Sequence, residues 1–263
     1  MPLFGALFRY LWEGKNHMDN IILEGSISVK AALEAGRREI FEICTDGRHP
    51  DRNRAYILRL AHAAKIPVNE YSKEHLDNLT SGSSHGGIAA RAGERRYQTM
   101  GELLSEEHPF FALLDGIEDP YNFGGALRSL CAAGVNGVLV PERNWCSADN
   151  VVTKASAGAS ERLPILPVTD WGMVLTGLRQ RGIRILCAER RNAISLYDAD
   201  MTGKVLLVFG GELRGISAKI LAYADQCVFI PYGSDFRNAL SANSAAAVFA
   251  FEALRQRMKS IPR

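Results

Sequence analysis

The chain has 263 residues, 47% of them hydrophobic, with 31 Lys+Arg against 29 Asp+Glu and a net charge of +2. That length suits one large or two ordinary domains, and the apolar share excludes wholesale disorder. Every long apolar run is broken well before the ~20 positions that a membrane-spanning helix needs, and the near-neutral balance excludes a simple polyelectrolyte.

A local basic face is still compatible with nucleic acid, because the positive charge is mostly arginine, 23 Arg against 8 Lys. Arginine presents a planar fork of donors that matches phosphate; a solvated surface explains the same count. The five cysteines, Cys44, Cys131, Cys146, Cys187 and Cys227, are odd in number and include no Cys-x-x-Cys pair. They read as reduced thiols of a cytoplasmic protein, neither disulfides nor a zinc site.

Residues 1–17, MPLFGALFRYLWEGKNH, do not fit the pattern that follows, and they lack a clean signal-cleavage site. A regular pattern begins at Met18, which is the expected native start. Residues 18–92 read as a small α/β unit. Ile21-Ile22-Leu23 is a predicted strand, Ser28 a predicted helix cap and Gly36 the stop. Ile40 to Thr45 is a second strand, and residues 51–64 repeat at helical spacing. Pro67 to Glu70 precedes a short helix. The loop Ser81-Gly82-Ser83-Ser84-His85-Gly86-Gly87 leads into a strand at Ile88 to Arg91.

Residues 93–107 are polar and read as a linker. Residues 108–263 form a second α/β pattern, with strands at Phe110–Leu114, Val135–Val140, Ile183–Ala188, Val205–Phe209 and Cys227–Ile230. Helices are expected over Phe123–Ala133 and Leu240–Met258. Apolar strands alternating with helices point to a mostly parallel sheet covered on both faces.

In such sheets ligands bind outside the carboxyl ends of the strands, and three turns there carry polar residues. In the first, Asp115 to Arg128, Pro120 turns the chain and Asn122 is a predicted N-cap. Gly124 and Gly125 would leave the first helical turn open to a ligand, and Arg128 could reach back beside Asn122. An ordinary cap with a surface arginine explains the same residues. The second turn, Phe209-Gly210-Gly211-Glu212-Leu213-Arg214-Gly215, follows a strand but has neither Rossmann nor P-loop spacing. It suits a small polar cofactor, or a tight turn with a solvated Glu212. The third, Ile230-Pro231 through Leu240-Ser241-Ala242-Asn243, opens an Ala-rich helix and on its own is a helix cap.

Together, Asn122-x-Gly-x-x-x-Arg128, Gly210-Gly-Glu212-x-x-Gly215 and Ile230-Pro231 before an Ala-rich helix resemble the SpoU/TrmH-type branch of the SPOUT RNA methyltransferases. Lys154-Ala-Ser156-Ala-Gly158-Ala159-Ser-Glu161-Arg-Leu-Pro164 adds a likeness to enzymes acting on guanosine ribose in large-subunit ribosomal RNA. The loop from Ser83 to Ala90 extends the likeness over about residues 20–258. The resemblance implies a catalytic domain with a deep trefoil knot, a homodimer, and a small ribosomal-protein-like RNA-binding domain at the N-terminus. It also implies S-adenosylmethionine as cofactor, methyl transfer to a ribose 2′-hydroxyl, and no metal.

The resemblance assigns Asn122 and Arg128 to the reacting ribose and Glu212, as the acid of the second motif, to the catalytic site near it. It assigns Gly210, Gly211 and Gly215 to the cofactor turn, and the backbone of Ile230 and Leu240 to the adenine end. An Arg is a poor general base, so Arg128 is expected to orient the substrate and stabilise charge. The usual Ser-Leu-Asn-Val-Ser of the third motif reads Ala239-Leu240-Ser241-Ala242-Asn243 here. Ser241 and Asn243 are therefore candidate replacements at the cofactor. Arg37, Arg38, Arg48, Arg52, Arg54, Arg95 and Arg96 are RNA-contact candidates. A catalytically weakened RNA- or ribosome-binding relative, a transfer-RNA enzyme and a small-molecule enzyme remain the alternatives.

Overall fold

The computed structural model describes residues 21–80, 83–142 and 148–260. The segment 1–17, the start at Met18, Ser81, Gly82 and Cys146 lie outside the described residues. In the first unit, β1 (Ile21–Glu24) leads into α1 (Gly25–Ala35), β2 (Ile40–Thr45), α2 (Arg52–Ala63), β3 (Val68–Glu70), α3 (Lys73–Leu79) and β4 (Ile88–Ala92). The sheet order is β1-β4-β2-β3, with β4 antiparallel to both β1 and β2. Ile21, Leu23, Val29, Ile43, Ile57 and Ile88 close its core.

Helix α1 corrects one expectation. It starts at Gly25, after Glu24, so Ser28 is not a cap but a buried residue within the helix. Gly36 does end it, at φ 60°. That left-handed conformation costs glycine little and a side-chain-bearing residue more.

Residues 93–107 are packed against the rest of the chain. They carry α4 (Met100–Leu103), closed by a capping box between Thr99 and Glu102. Leu103 is buried in the core of the large sheet, and a Cβ on Gly137 would lie 2.3 Å from its Cδ1.

The second unit runs β5 (Phe110–Asp115), α5 (Pro120–Ala132), β6 (Gly137–Pro141), α6 (Asp149–Ala155), α7 (Ala159–Arg162), β7 (Ile165–Val168), α8 (Trp171–Gln180), β8 (Arg184–Ala188), β9 (Ala193–Ser195), β10 (Val205–Gly210), α9 (Ala218–Leu221), β11 (Gln226–Phe229) and α10 (Ala242–Ser260). All seven strands are parallel, in the order β7-β6-β5-β10-β8-β11-β9. One face packs on α5 and α10 through Leu127, Leu130, Phe209 and Phe249. The other packs on α8 and α9 through Leu175, Leu178 and Ile220. Burial on both faces explains why β5 and β10 read as continuous apolar runs.

Strands β3, β7 and β9 and helices α4, α6, α7, α8 and α9 are additions to the sequence reading. Among the described residues, no helix is long and apolar enough to cross a membrane.

Candidate active site

Asp115 ends β5 directly opposite Gly210 at the end of β10. It ties the second turn down twice. Its carbonyl accepts from Gly211 N (2.8 Å), and its Oδ2 accepts from Ser217 N (2.7 Å). The turn then folds on itself, with Gly215 N donating to Gly211 O at 2.9 Å and Gly215 at φ 64°. Gly210 and Gly211 are required by close backbone approach. An added Cβ would lie 2.1 Å from Gly215 C in the first case and 2.1 Å from Gly116 O in the second.

Asn122 is not the N-cap of α5. Asp119 is, accepting from Asn122 N at 2.8 Å, with Pro120 inside the first turn. This frees the Asn122 amide, whose Nδ2 donates to Glu212 Oε1 at 2.9 Å. The same oxygen accepts from Ala242 N at 3.4 Å, at the start of α10. A carboxylate there satisfies an orphan helical N–H and complements the helix dipole. Glu212 thus joins the first and third motifs, although it is exposed.

Arg128 stands apart from that pair. Six helical positions place it about 9 Å along α5 and about a third of a turn round from Asn122. Its side chain is exposed, and no hydrogen bond or ion pair within the described residues engages it. Gly124 and Gly125 face neighbouring helices. A Cβ on Gly124 would lie 2.7 Å from Ala155 Cβ on α6, and one on Gly125 would lie 2.5 Å from Asn243 Nδ2 on α10. These glycines let α5 approach its neighbours.

The third loop uses its polar groups on itself. Leu240 N donates to the Tyr232 hydroxyl at 3.1 Å, and that hydroxyl donates to Asn238 O at 3.3 Å. The Arg190 guanidinium lies 4.5 Å from the Tyr232 ring centre. Ser241 Oγ accepts from Ser244 N at 3.2 Å and so caps α10. Ile230 is half-buried against the core. The Asn243 side chain packs on Gly125 of α5. Asn243→Ala is therefore expected to leave cofactor affinity unchanged, which calorimetry can check.

Between the first two turns lies a cleft of about 370 Å³, lined by Asp115, Gly116, Glu118, Asp119, Glu212, Leu213, Arg214, Gly215, Ser217 and Lys219. Glu118, Arg214 and Lys219 carry no signal of their own in the sequence. No motif spacing marks them, because they converge only when β5 and β10 pair.

The arginine candidates divide sharply. Arg38 and Arg95 are not surface groups but lie buried among carboxylates. Arg38 reaches Glu161 at 2.7 and 2.9 Å and Asp149 at 2.7 Å, while Arg95 reaches Asp149 at 2.6 Å and Glu161 at 2.9 Å. Arg54 is buried against Asp46 at 2.9 Å. Exposed Arg48 also pairs with Asp46, exposed Arg96 pairs with Glu102, and half-buried Arg37 donates to Gln98. Arg52 is exposed.

Burial alone would push the Glu161 carboxyl up, but Arg95 and Arg38 outweigh it and hold the group below its ordinary 4.5. A depressed carboxylate contributes stability above its unfolded pKa and loses it as pH falls through the folded one. Glu161→Gln is expected to flatten the acid limb of the stability profile below about pH 4.5, as measured by denaturant midpoints.

Burial raises the Cys187 thiol to about 12 and the Cys44 thiol to about 11. Neither is a nucleophile at neutral pH.

A parallel sheet with three polar turns at its strand ends, two of them joined through Glu212, is the arrangement that the motif resemblance implies. The profile of the SpoU rRNA Methylase family matches residues 109–251, and that of RNA 2'-O ribose methyltransferase substrate binding matches residues 22–98. The chain belongs to the SpoU rRNA Methylase family. It is 33% identical over 240 residues to the 23S rRNA (guanosine-2'-O-)-methyltransferase RlmB of Yersinia pestis, covering 90% of this chain and 97% of that one. The RlmB of Escherichia coli K12 is 31% identical over 244 residues, covering 90% and 98%. Among solved structures, the SpoU methyltransferase AviRb of Streptomyces viridochromogenes, in complex with AdoMet, superposes with a TM-score of 0.78 at 23% identity, covering 92% of each chain. An RNA 2'-O ribose methyltransferase superposes at 0.75 with 24% identity, covering 98% and 96%.

Proposed function

We propose that this chain transfers the methyl group of S-adenosylmethionine to the 2′-hydroxyl of a guanosine in large-subunit ribosomal RNA. The observation that carries the reading is Glu212 Oε1, which accepts from both Asn122 and the start of α10 at the mouth of the cleft. The cleft's donor set suits the cofactor. Asp115, Glu118, Asp119 and Glu212 complement a sulfonium and an ammonium, while Arg214 and Lys219 complement a carboxylate or a phosphate. The residues that would hold it are the backbone of Gly210–Gly215 and of the Ile230–Leu240 loop. When bound, it supplies an activated methyl group.

The protein's task is then positioning. Glu212 fixes the Asn122 amide by taking its N–H, which leaves Asn122 Oδ1 to accept from a ribose hydroxyl. Arg128 is exposed and unengaged within the described residues, so its planar fork of donors serves as a clamp on substrate phosphate. A substrate phosphate is the proton acceptor that remains.

Residues 18–92 form the RNA-binding unit in this reading, 93–107 the joint and 108–263 the methyltransferase unit. The matched substrate-binding profile supports the first assignment. Membership of the SpoU rRNA Methylase family supports a chain threaded as a deep trefoil knot. Exposed Val248, Phe251 and Met258 share one face of α10, which suits a homodimer. The site of action is the cytoplasm.

Calorimetric titration with S-adenosylmethionine tests the cofactor step: saturable binding is expected, and absence of binding would overturn the reading. RNA affinity should fall steeply as salt rises, because phosphate contacts release counterions. A salt-independent affinity in filter-binding assays would contradict an arginine-based interface.

A further inference from the structure

The mechanism makes no use of the buried Arg38–Arg95–Asp149–Glu161 cluster. Its place in the chain is informative. Arg38 follows α1 in the small unit, and Arg95 lies in the segment joining the units. Asp149 begins α6 and Glu161 lies in α7, both in the large unit. Two positive and two negative charges are closed off from water, and Arg38 also donates to Gly93 O at 3.2 Å. Thr153 and Ser160 fill out the shell around Arg95 and Glu161.

Around this cluster the two units fit closely. A Cβ on Gly158 would lie 2.4 Å from Ala31 Cβ of α1. Lys154 reaches Glu24 at 2.8 Å, and Arg162 reaches Glu34 at 2.6 Å, at the exposed rim. On its other side, α6 carries α5, because Gly124 seats against Ala155 and Ser156. The contacts therefore run from the small unit, through the cluster, to the helix that bears Asn122 and Arg128.

Buried ion pairs of this kind are weak stabilisers, since desolvation offsets their attraction. What they do supply is one geometry. Charges closed off from water find partners only in register, and any sliding of the units would strand them.

We propose that Glu161 is a positioning residue: with Arg38, Arg95 and Asp149 it fixes the small unit against α6 and α7, so that RNA held there reaches Asn122 and Arg128 in a single pose. This rests on the RNA-methyltransferase reading above.

The test uses the full chain and two variants, Glu161→Gln and the charge-balanced pair Arg38→Met with Glu161→Leu. Four quantities are read: S-adenosylmethionine affinity by calorimetry, kcat and KM on unmodified large-subunit rRNA, and radius of gyration by small-angle scattering. The expected result is unchanged cofactor affinity and kcat, a KM raised at least about tenfold, and a larger radius of gyration. An unchanged KM and radius, or losses spread equally over cofactor affinity, kcat and KM, would overturn the proposal. Should neither variant fold, Lys154→Ala with Arg162→Ala loosens the exposed rim instead. That pair must raise KM and the radius in the same way, and no change in either would overturn the proposal. Wild-type protein that methylates no RNA would sink the functional reading alone, because the scattering comparison still decides whether the cluster locks the units.

Discussion

Arg128→Ala is expected to lower kcat for methyl transfer by about 10²–10³-fold, the cost of deleting one donor that engages substrate charge in the transition state. Cofactor affinity and thermal midpoint should stay at wild-type values. The separation follows from its surroundings. The guanidinium is exposed and unengaged within the described residues, so its removal leaves no orphaned partner and no cavity. Arg128→Lys should recover only part of the rate, since an ammonium keeps the charge but loses the planar two-point fork. Single-turnover kinetics with saturating cofactor measure this directly. A wild-type rate in Arg128→Ala would remove Arg128 from the site.

A large stability effect is expected at Gly211. A Cβ there would lie 2.1 Å from Gly116 O and 2.7 Å from Gly116 C, and both are backbone atoms that no rotamer change can move. To admit the methyl, the second turn must lift from β5, which breaks the Gly211 N to Asp115 O bond of 2.8 Å. Overpacking against backbone costs about 3 kcal/mol or more, and the cleft is expected to open with it. Gly211→Ala should therefore lose both cofactor binding and several degrees of thermal midpoint. Gly101→Ala is the control: a methyl added there would meet nothing within 4 Å, and the residue sits inside α4. Helix propensity there favours alanine by up to about 1 kcal/mol. Differential scanning calorimetry of the two variants separates a general glycine effect from the close contact at Gly211.

Much of the strand content is legible in the sequence because burial on both faces leaves unbroken apolar runs, as in Phe110–Leu114 and Val205–Phe209. Strands of three residues, Val68–Glu70 and Ala193–Ser195, carry too little pattern to stand out. Strand order is also hidden, since pairing of β10 with β5 is set by contacts far apart in sequence. At the start of α5, both Asp119 and Asn122 are good caps. Pro120 suits a turn, but its fixed φ equally suits the first helical turn, and that places the cap at Asp119. Gly124 and Gly125 suggest an open helix start because a glycine beside a ligand and a glycine beside a helix look the same in one sequence. Arg38 and Arg95 read as solvent-facing because their carboxylate partners lie in α6 and α7, far along the chain. Motif spacing is enough to find Asn122, Glu212 and the glycine turn. Their hydrogen bonds, and the cap role of Ser241, require the fold.

The most direct measurement is the chemical identity of the methylated product. Unmodified large-subunit rRNA would be incubated with methyl-labelled S-adenosylmethionine and the protein, then digested to nucleosides. The expected result is label in a single 2′-O-methylnucleoside, formed about 10²–10³-fold more slowly when Arg128→Ala replaces the wild type. Label on a base, or no transfer to RNA by protein that binds the cofactor, would contradict the ribose methyltransferase site described here.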